Sequence, residues 1–137
     1  KETKYKEALK FYGKNLGLTF QIADDALDYN SELKIFGKKI GNDFFEGKVT
    51  LPIILLYQKA GEEDKINLKS LFNKTKRNKE ELEYVLSLIK KNNIIKECYK
   101  KAEHFINLSY NSLSIFEDSK EKNILKNLTS FSIERNF

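Results

Sequence analysis

Three aspartates and a glutamine stand close together in Gln21-Ile22-Ala23-Asp24-Asp25-Ala26-Leu27-Asp28-Tyr29. On a helix advancing about 100° per residue, Gln21, Asp24, Asp25 and Asp28 fall within about a third of the circumference. Phe20, Ile22, Ala23, Ala26 and Leu27 occupy the rest. A helix that is apolar on most sides is expected to be buried on most sides. Asp24 and Asp28, four residues apart, repel one another. Clustered carboxylates in such a setting are costly unless a positive charge sits on them. A divalent cation meets that need. Mg²⁺ is the natural choice, because it takes carboxylate oxygens and shares its shell with phosphates. The competing reading is an acidic helix face in water. Against it stand the basic character of the chain as a whole and two lysines in glycine-bearing segments just downstream, Lys38 after Gly37 and Lys48 after Gly47.

The acidic stretch must be held by something, and composition limits what. With 137 residues, 40% of them hydrophobic, the chain suffices for one domain with one modest core. One proline and six glycines leave little punctuation, which favours long helices. The net charge of +5 is spread over helical faces, as in Lys90/Lys91, Lys100/Lys101 and Lys120/Lys122. That spacing gives no stripe for nucleic acid. A lone cysteine, Cys98, excludes an internal disulfide and suggests a reducing, cytoplasmic setting. No run reaches the length of a membrane span. The chain begins without Met and contains none, which reads as a piece of something longer.

Apolar residues at three- and four-residue steps predict a first helix over residues 2–29, through Leu9, Tyr12, Leu16, Phe20, Ala23 and Leu27. Gly13 and Gly17 inside it imply close approach of a neighbouring helix. Residues 30–49 read as a long loop, too apolar to be disordered and so folded onto the domain. Thr50 caps and Pro52 opens a second helix that stops at Gly61 and is apolar almost all round. Further helices are expected over 62–72, with Ile66 and Leu68 or Leu71 and Phe72 inward, and over 79–90, with Leu82, Val85, Leu86 and Ile89 inward. The last two are expected over 94–113, with Tyr110 in the core, and from Asp118 or Ser119 to about 133, with Ile124, Leu125, Leu128, Phe131 and Ser132 inward. No alternating pattern predicts a strand, so the fold class is all-α. His104, mid-helix with no ligand pattern around it, is given no role.

Phe20-Gln21 followed by Asp24-Asp25-Ala26-Leu27-Asp28-Tyr29, then Gly37-Lys38, Gly41-Asn42-Asp43 and Gly47-Lys48-Val49-Thr50-Leu51-Pro52, resembles the all-trans polyprenyl diphosphate synthases, and most of all the bacterial octaprenyl type. The D-D-x-x-D run is similar to that family's second aspartate-rich motif. The resemblance implies the C-terminal part of the isoprenoid synthase helical bundle, without the first aspartate-rich motif and the upstream isopentenyl diphosphate site. It implies a trans-prenyltransferase joining isopentenyl diphosphate to an allylic diphosphate. Asp24 would be a direct Mg²⁺ ligand, Asp28 and Asp43 would act through metal-bound water, and Asp25 would support them. Lys38 and Lys48 would contact diphosphate oxygens, and Gln21 would face the reacting end of the allylic chain. It further implies a homodimer in the full-length enzyme, or a complementing N-terminal half. The alternative is an inactive fragment, or one chain of a split synthase acting as a helical binding module.

Overall fold

The computed structural model describes residues 2–31 and 39–136, with side-chain surroundings described as far as residue 130. Lys38, and the inward placement expected for Phe131 and Ser132, lie outside the described residues. The described elements are α1 (Glu2–Leu27), α2 (Asn42–Glu46), α3 (Leu51–Lys59), α4 (Glu62–Asn73), α5 (Lys79–Lys91), α6 (Ile94–Ser112), a 3-10 turn (Leu113–Ile115) and α7 (Lys120–Asn136). No strand occurs among the described residues, as the absence of alternation predicts. The chain gathers into two compact units, Lys1–Ala23 with Tyr99–Phe137, and Asp24–Cys98.

In the first unit, small polar residues of α1 and α6 face each other where larger ones would hold the helices apart. Asn15, Thr19 and Ser109 are all buried. Each donates to a carbonyl, which satisfies a group that would be costly to bury unpaired. Thr19 Oγ1 donates to the carbonyls of Asn15 (3.0 Å) and Ala102 (3.2 Å). Ser109 Oγ donates to the carbonyl of Tyr12 at 2.9 Å. The Tyr12 hydroxyl donates to the carbonyl of Leu125 on α7 at 2.6 Å, and Tyr5 stacks on Phe116. Ser119 caps α7 through its side-chain oxygen, which accepts from the Lys122 amide at 3.0 Å.

Several expectations fail in this unit. Leu9 of the predicted α1 stripe is exposed, as are Tyr110, Ile124 and Leu128; Phe11 and Leu18, outside that stripe, are exposed too. A Cβ added at Gly13 or Gly17 would meet nothing within 4 Å among the described residues, so no helix presses on them there. Periodicity marks the apolar residues of a helix but not which of several apolar stripes is covered.

The second unit is built on α3, whose Pro52, Ile53, Leu55 and Leu56 are buried. Ile54 and Tyr57 are half-exposed, so α3 is open on one side, unlike the all-round burial its composition predicts. Thr50 sits at the N-cap position, but its side chain makes no capping bond and its hydroxyl is buried without a partner. Residue Leu68 of α4 is buried, whereas Ile66 is 68% exposed and points away from the core. Leu82, Val85, Leu88 and Ile89 form the inner face of α5, with Leu88 where Leu86 is expected. An Asn78–Glu81 capping box starts α5. Asn93, at φ 53°, turns the chain into α6.

Phe44 joins the short α2 to this core. It is fully buried and meets Phe72 of α4 edge to face, with centroids 5.5 Å apart. Phe44→Ala is expected to cost about 3–5 kcal/mol, measured by urea unfolding, because it removes the fully buried side chain that anchors this five-residue helix in the core.

Candidate functional site

The acidic turn that ends α1 and the segment 39–48 form the candidate site. Asp28 joins them. Its carboxylate accepts from the backbone N–H of Asn42 at 3.2 Å and of Asp43 at 2.8 Å. Its own carbonyl accepts from the Gly41 N–H at 2.8 Å. A carboxylate on the first amides of a helix is electrostatically favoured, and here it comes from the turn that follows α1. Gly41 adopts the left-handed conformation at φ 88°, and a Cβ there would lie 2.5 Å from Leu82 Cδ2. Both constraints require glycine.

Asp24, Asp28 and Asp43 line one cavity of about 280 Å³, together with Leu27, Lys39, Ile40 and Asn42. Three aspartates 19 positions apart at the extremes are thus brought together. Asp25 is half-buried beside them and does not line the cavity. Its charge is still felt: burial, then Asp28 and Asp25, hold the Asp43 carboxyl above the usual carboxylate range, with Lys48 pulling the other way. Burial, then Asp28, Asp43 and Asp25, also push the Tyr29 phenol far up. Tyr29 is 1% exposed and its hydroxyl has no hydrogen-bond partner. Among the described residues, no three His, Cys, Asp or Glu side chains make a ready coordination sphere.

The two basic loop residues differ in what is known of them. Lys38 lies outside the described residues. Lys48 follows Gly47, which is left-handed at φ 74° and closes α2. Its amide donates to the Asp43 carbonyl at 2.9 Å, so the lysine and the aspartate are tied through the backbone. Its exposed ammonium pairs with Glu46 at 2.9 Å, which raises its pKa. Gln21 is exposed on α1, one helical turn before Asp24 and in the other compact unit. His104 is exposed and lies edge-on to Phe105.

Two residues of the site escape sequence reasoning. Lys39 lines the cavity beside Asp24 and Asp43, and only its neighbour Lys38 stands out in the sequence, through Gly37. Arg77, on the link between α4 and α5, reaches the carbonyls of α2. Its Nε donates to Phe44 O at 2.6 Å and its Nη2 to Phe45 O at 3.4 Å. Its acceptors are main-chain atoms, which leave no trace in side-chain spacing.

Residues 1–89 match the family model described as polyprenyl synthetase. The chain belongs to this family. An all-trans-nonaprenyl-diphosphate synthase (geranyl-diphosphate specific) of Rhodobacter capsulatus is 33% identical over 96% of this chain and 40% of its own length. A geranylgeranyl diphosphate synthase of Saccharolobus solfataricus is 34% identical over 90% of this chain and 38% of its own. The crystal structure of a polyprenyl synthase from Caulobacter crescentus, complexed with calcium and isoprenyl diphosphate, superposes with a TM-score of 0.82 at 30% identity, over 96% of this chain and 40% of that one. The chain therefore spans about two-fifths of the length of these family members, and its helices follow the isoprenoid synthase fold.

The charge crowding makes a pH prediction. The folded protein holds the Asp43 proton more tightly than the unfolded chain does. Without cation, stability at this site is therefore lost as pH rises from the ordinary aspartate value of about 4 through the raised folded value. Asp43→Asn is expected to melt higher than the unchanged chain above that window, with the gap closing below it. Thermal melts in chelator across pH 3.5–7 check this; a gap independent of pH would contradict it.

Proposed function

We propose that this chain is the magnesium- and diphosphate-binding portion of a trans-prenyltransferase, which condenses isopentenyl diphosphate with an allylic diphosphate. The observation that carries the reading is the shared cavity of Asp24, Asp28 and Asp43, in a chain whose family is that of the polyprenyl synthases. Asp24 holds the cation directly, and Asp43 reaches it through metal-bound water. Asp28 holds α2, and reaches the cation through water while its oxygens serve the Asn42 and Asp43 amides. Asp25 adds negative potential from behind. The calcium in the Caulobacter crescentus relative is, like Mg²⁺, a hard cation that takes oxygen ligands.

The difficult step of such a reaction is the loss of diphosphate from the allylic carbon, so negative charge on the leaving group must be stabilised. The chemistry supplied by bound magnesium is neutralisation of that charge. Lys38 and Lys48 add compact positive charges that grip diphosphate oxygens. Gln21, a turn before Asp24 in the sequence, would offer its amide oxygen to the carbon on which positive charge grows. An attacking double bond and an acceptor for the final proton belong to isopentenyl diphosphate and its own site, which the upstream part of such an enzyme supplies.

Partners and setting follow from the same reading. The exposed Leu9, Phe11 and Leu18 of α1, with the open faces of Gly13 and Gly17, support packing against a complementing N-terminal half or within a homodimer. The buried, single Cys98 supports a reducing cytoplasmic setting.

Calorimetric titration of magnesium pyrophosphate into the chain tests this. Binding is expected only with the cation present. Asp24→Asn is expected to weaken it at least roughly ten-fold, and Lys48→Ala by a similar factor, each matching a lost charge-assisted contact of about 1.5–3 kcal/mol. Binding that survives chelation or ignores Asp24→Asn would overturn the assignment.

A further inference from the structure

Arg77 is half-buried, and its donors are spent on main chain. Besides the bonds to Phe44 and Phe45, its Nη1 donates to Lys74 O at 2.6 Å and to Leu71 O at 3.1 Å. A guanidinium has five N–H groups. Four are directed at carbonyls, from two different segments, and this leaves little with which to meet a substrate. The plane also lies near two rings, 6.0 Å from the Phe44 centroid and 5.9 Å from that of Phe72. Two of the carbonyls belong to the end of α4 and its cap, where unpaired oxygens carry partial negative charge.

The other two belong to α2, and there the geometry continues to the candidate site. The Phe44 carbonyl accepts from both Arg77 Nε and the Gly47 N–H, the latter at 3.0 Å. Gly47 is pressed against the guanidinium, since a Cβ at that position would lie 2.6 Å from Nη2. One residue later the Lys48 amide bonds back to Asp43. The turn that sets the direction of the Lys48 side chain is therefore closed over the arginine.

We infer that Arg77 is a positioning residue: by clamping the Phe44 and Phe45 carbonyls to the end of α4, it fixes the turn that presents Lys48 beside Asp43. The inference deepens the reading of Lys48 as a diphosphate-binding residue and rests on it. No contact between Arg77 and substrate is involved. A lysine in its place has a single flexible ammonium and cannot span both segments.

The test uses the whole chain as it is, Arg77→Gln, Lys48→Ala and the double variant, with magnesium pyrophosphate as titrant. It is run well below the melting temperature of every variant. Arg77→Gln is expected to weaken pyrophosphate binding roughly ten-fold, and the double variant to bind no more weakly than Lys48→Ala, because the arginine acts through the lysine. Losses that multiply in the double variant, or a lowered melting temperature with unchanged affinity, would overturn the inference. Amide hydrogen exchange supplies a reading independent of binding. Gly47 and Lys48 are expected to exchange at least roughly ten-fold faster in Arg77→Gln, with the α3 amides of Leu55 and Leu56 unchanged. Equal rates at Gly47 and Lys48 would overturn the clamp. Failure of the unchanged chain to bind magnesium pyrophosphate would instead remove the functional reading of Lys48, and the exchange rates would still decide the clamp.

Discussion

The structure around the acidic turn depends on one contact, the carboxylate of Asp28 on the first amides of α2. A five-residue helix has no stability of its own, since helix nucleation is unfavourable and most of its bonds are unmade at its ends. Here its N-terminal amides are satisfied by Asp28, in the turn after α1, and its C-terminal carbonyls by Gly47 and Arg77. Phe44 supplies the apolar anchor between them. With those supports the segment stands beside α1 and brings Asp43 to Asp24. Removing the Asp28 oxygens would free both amides and the residues they hold.

That arrangement has an electrostatic cost. Asp28 is compensated by the amides it accepts from, yet Asp43 is drawn close to Asp28 and Asp25 and resists ionisation. Tyr29, buried with its hydroxyl unpaired under the same carboxylates, feels the same field. Lys48, just past the end of α2, offsets part of it, though it also pairs with Glu46. Gathered like charges with only partial compensation favour a counter-charge at the site, and the metal of the proposed metal diphosphate would supply it.

Long helices were legible from periodicity, and the limits of α1, α3 and α5 follow it closely. Burial was less so. Ile66, Tyr110, Ile124 and Leu128 repeat at helical spacing but stand in the open, because spacing records that a stripe is apolar, not that something covers it. The helix α2 falls in a stretch that reads as loop, since five residues contain too little of a period to register. The identities of Asp24, Asp28 and Asp43 were legible as chemistry. The capping bond that Asp28 makes was not, because its partners lie 14 and 15 positions away and are main-chain amides. The same reason hides Arg77, whose acceptors are carbonyls in two segments.

The central claim is that the end of α1 and the segment 41–48 form one cation–diphosphate site. Its most direct test is an NMR titration of the isotope-labelled chain with magnesium, before and after pyrophosphate is added. The amides of Asp24, Asn42 and Asp43 are expected to shift with magnesium, and that of Lys48 to shift further only when pyrophosphate follows. Shifts scattered over the basic faces of α5 and α6, with residues 41–48 unmoved, would contradict the account.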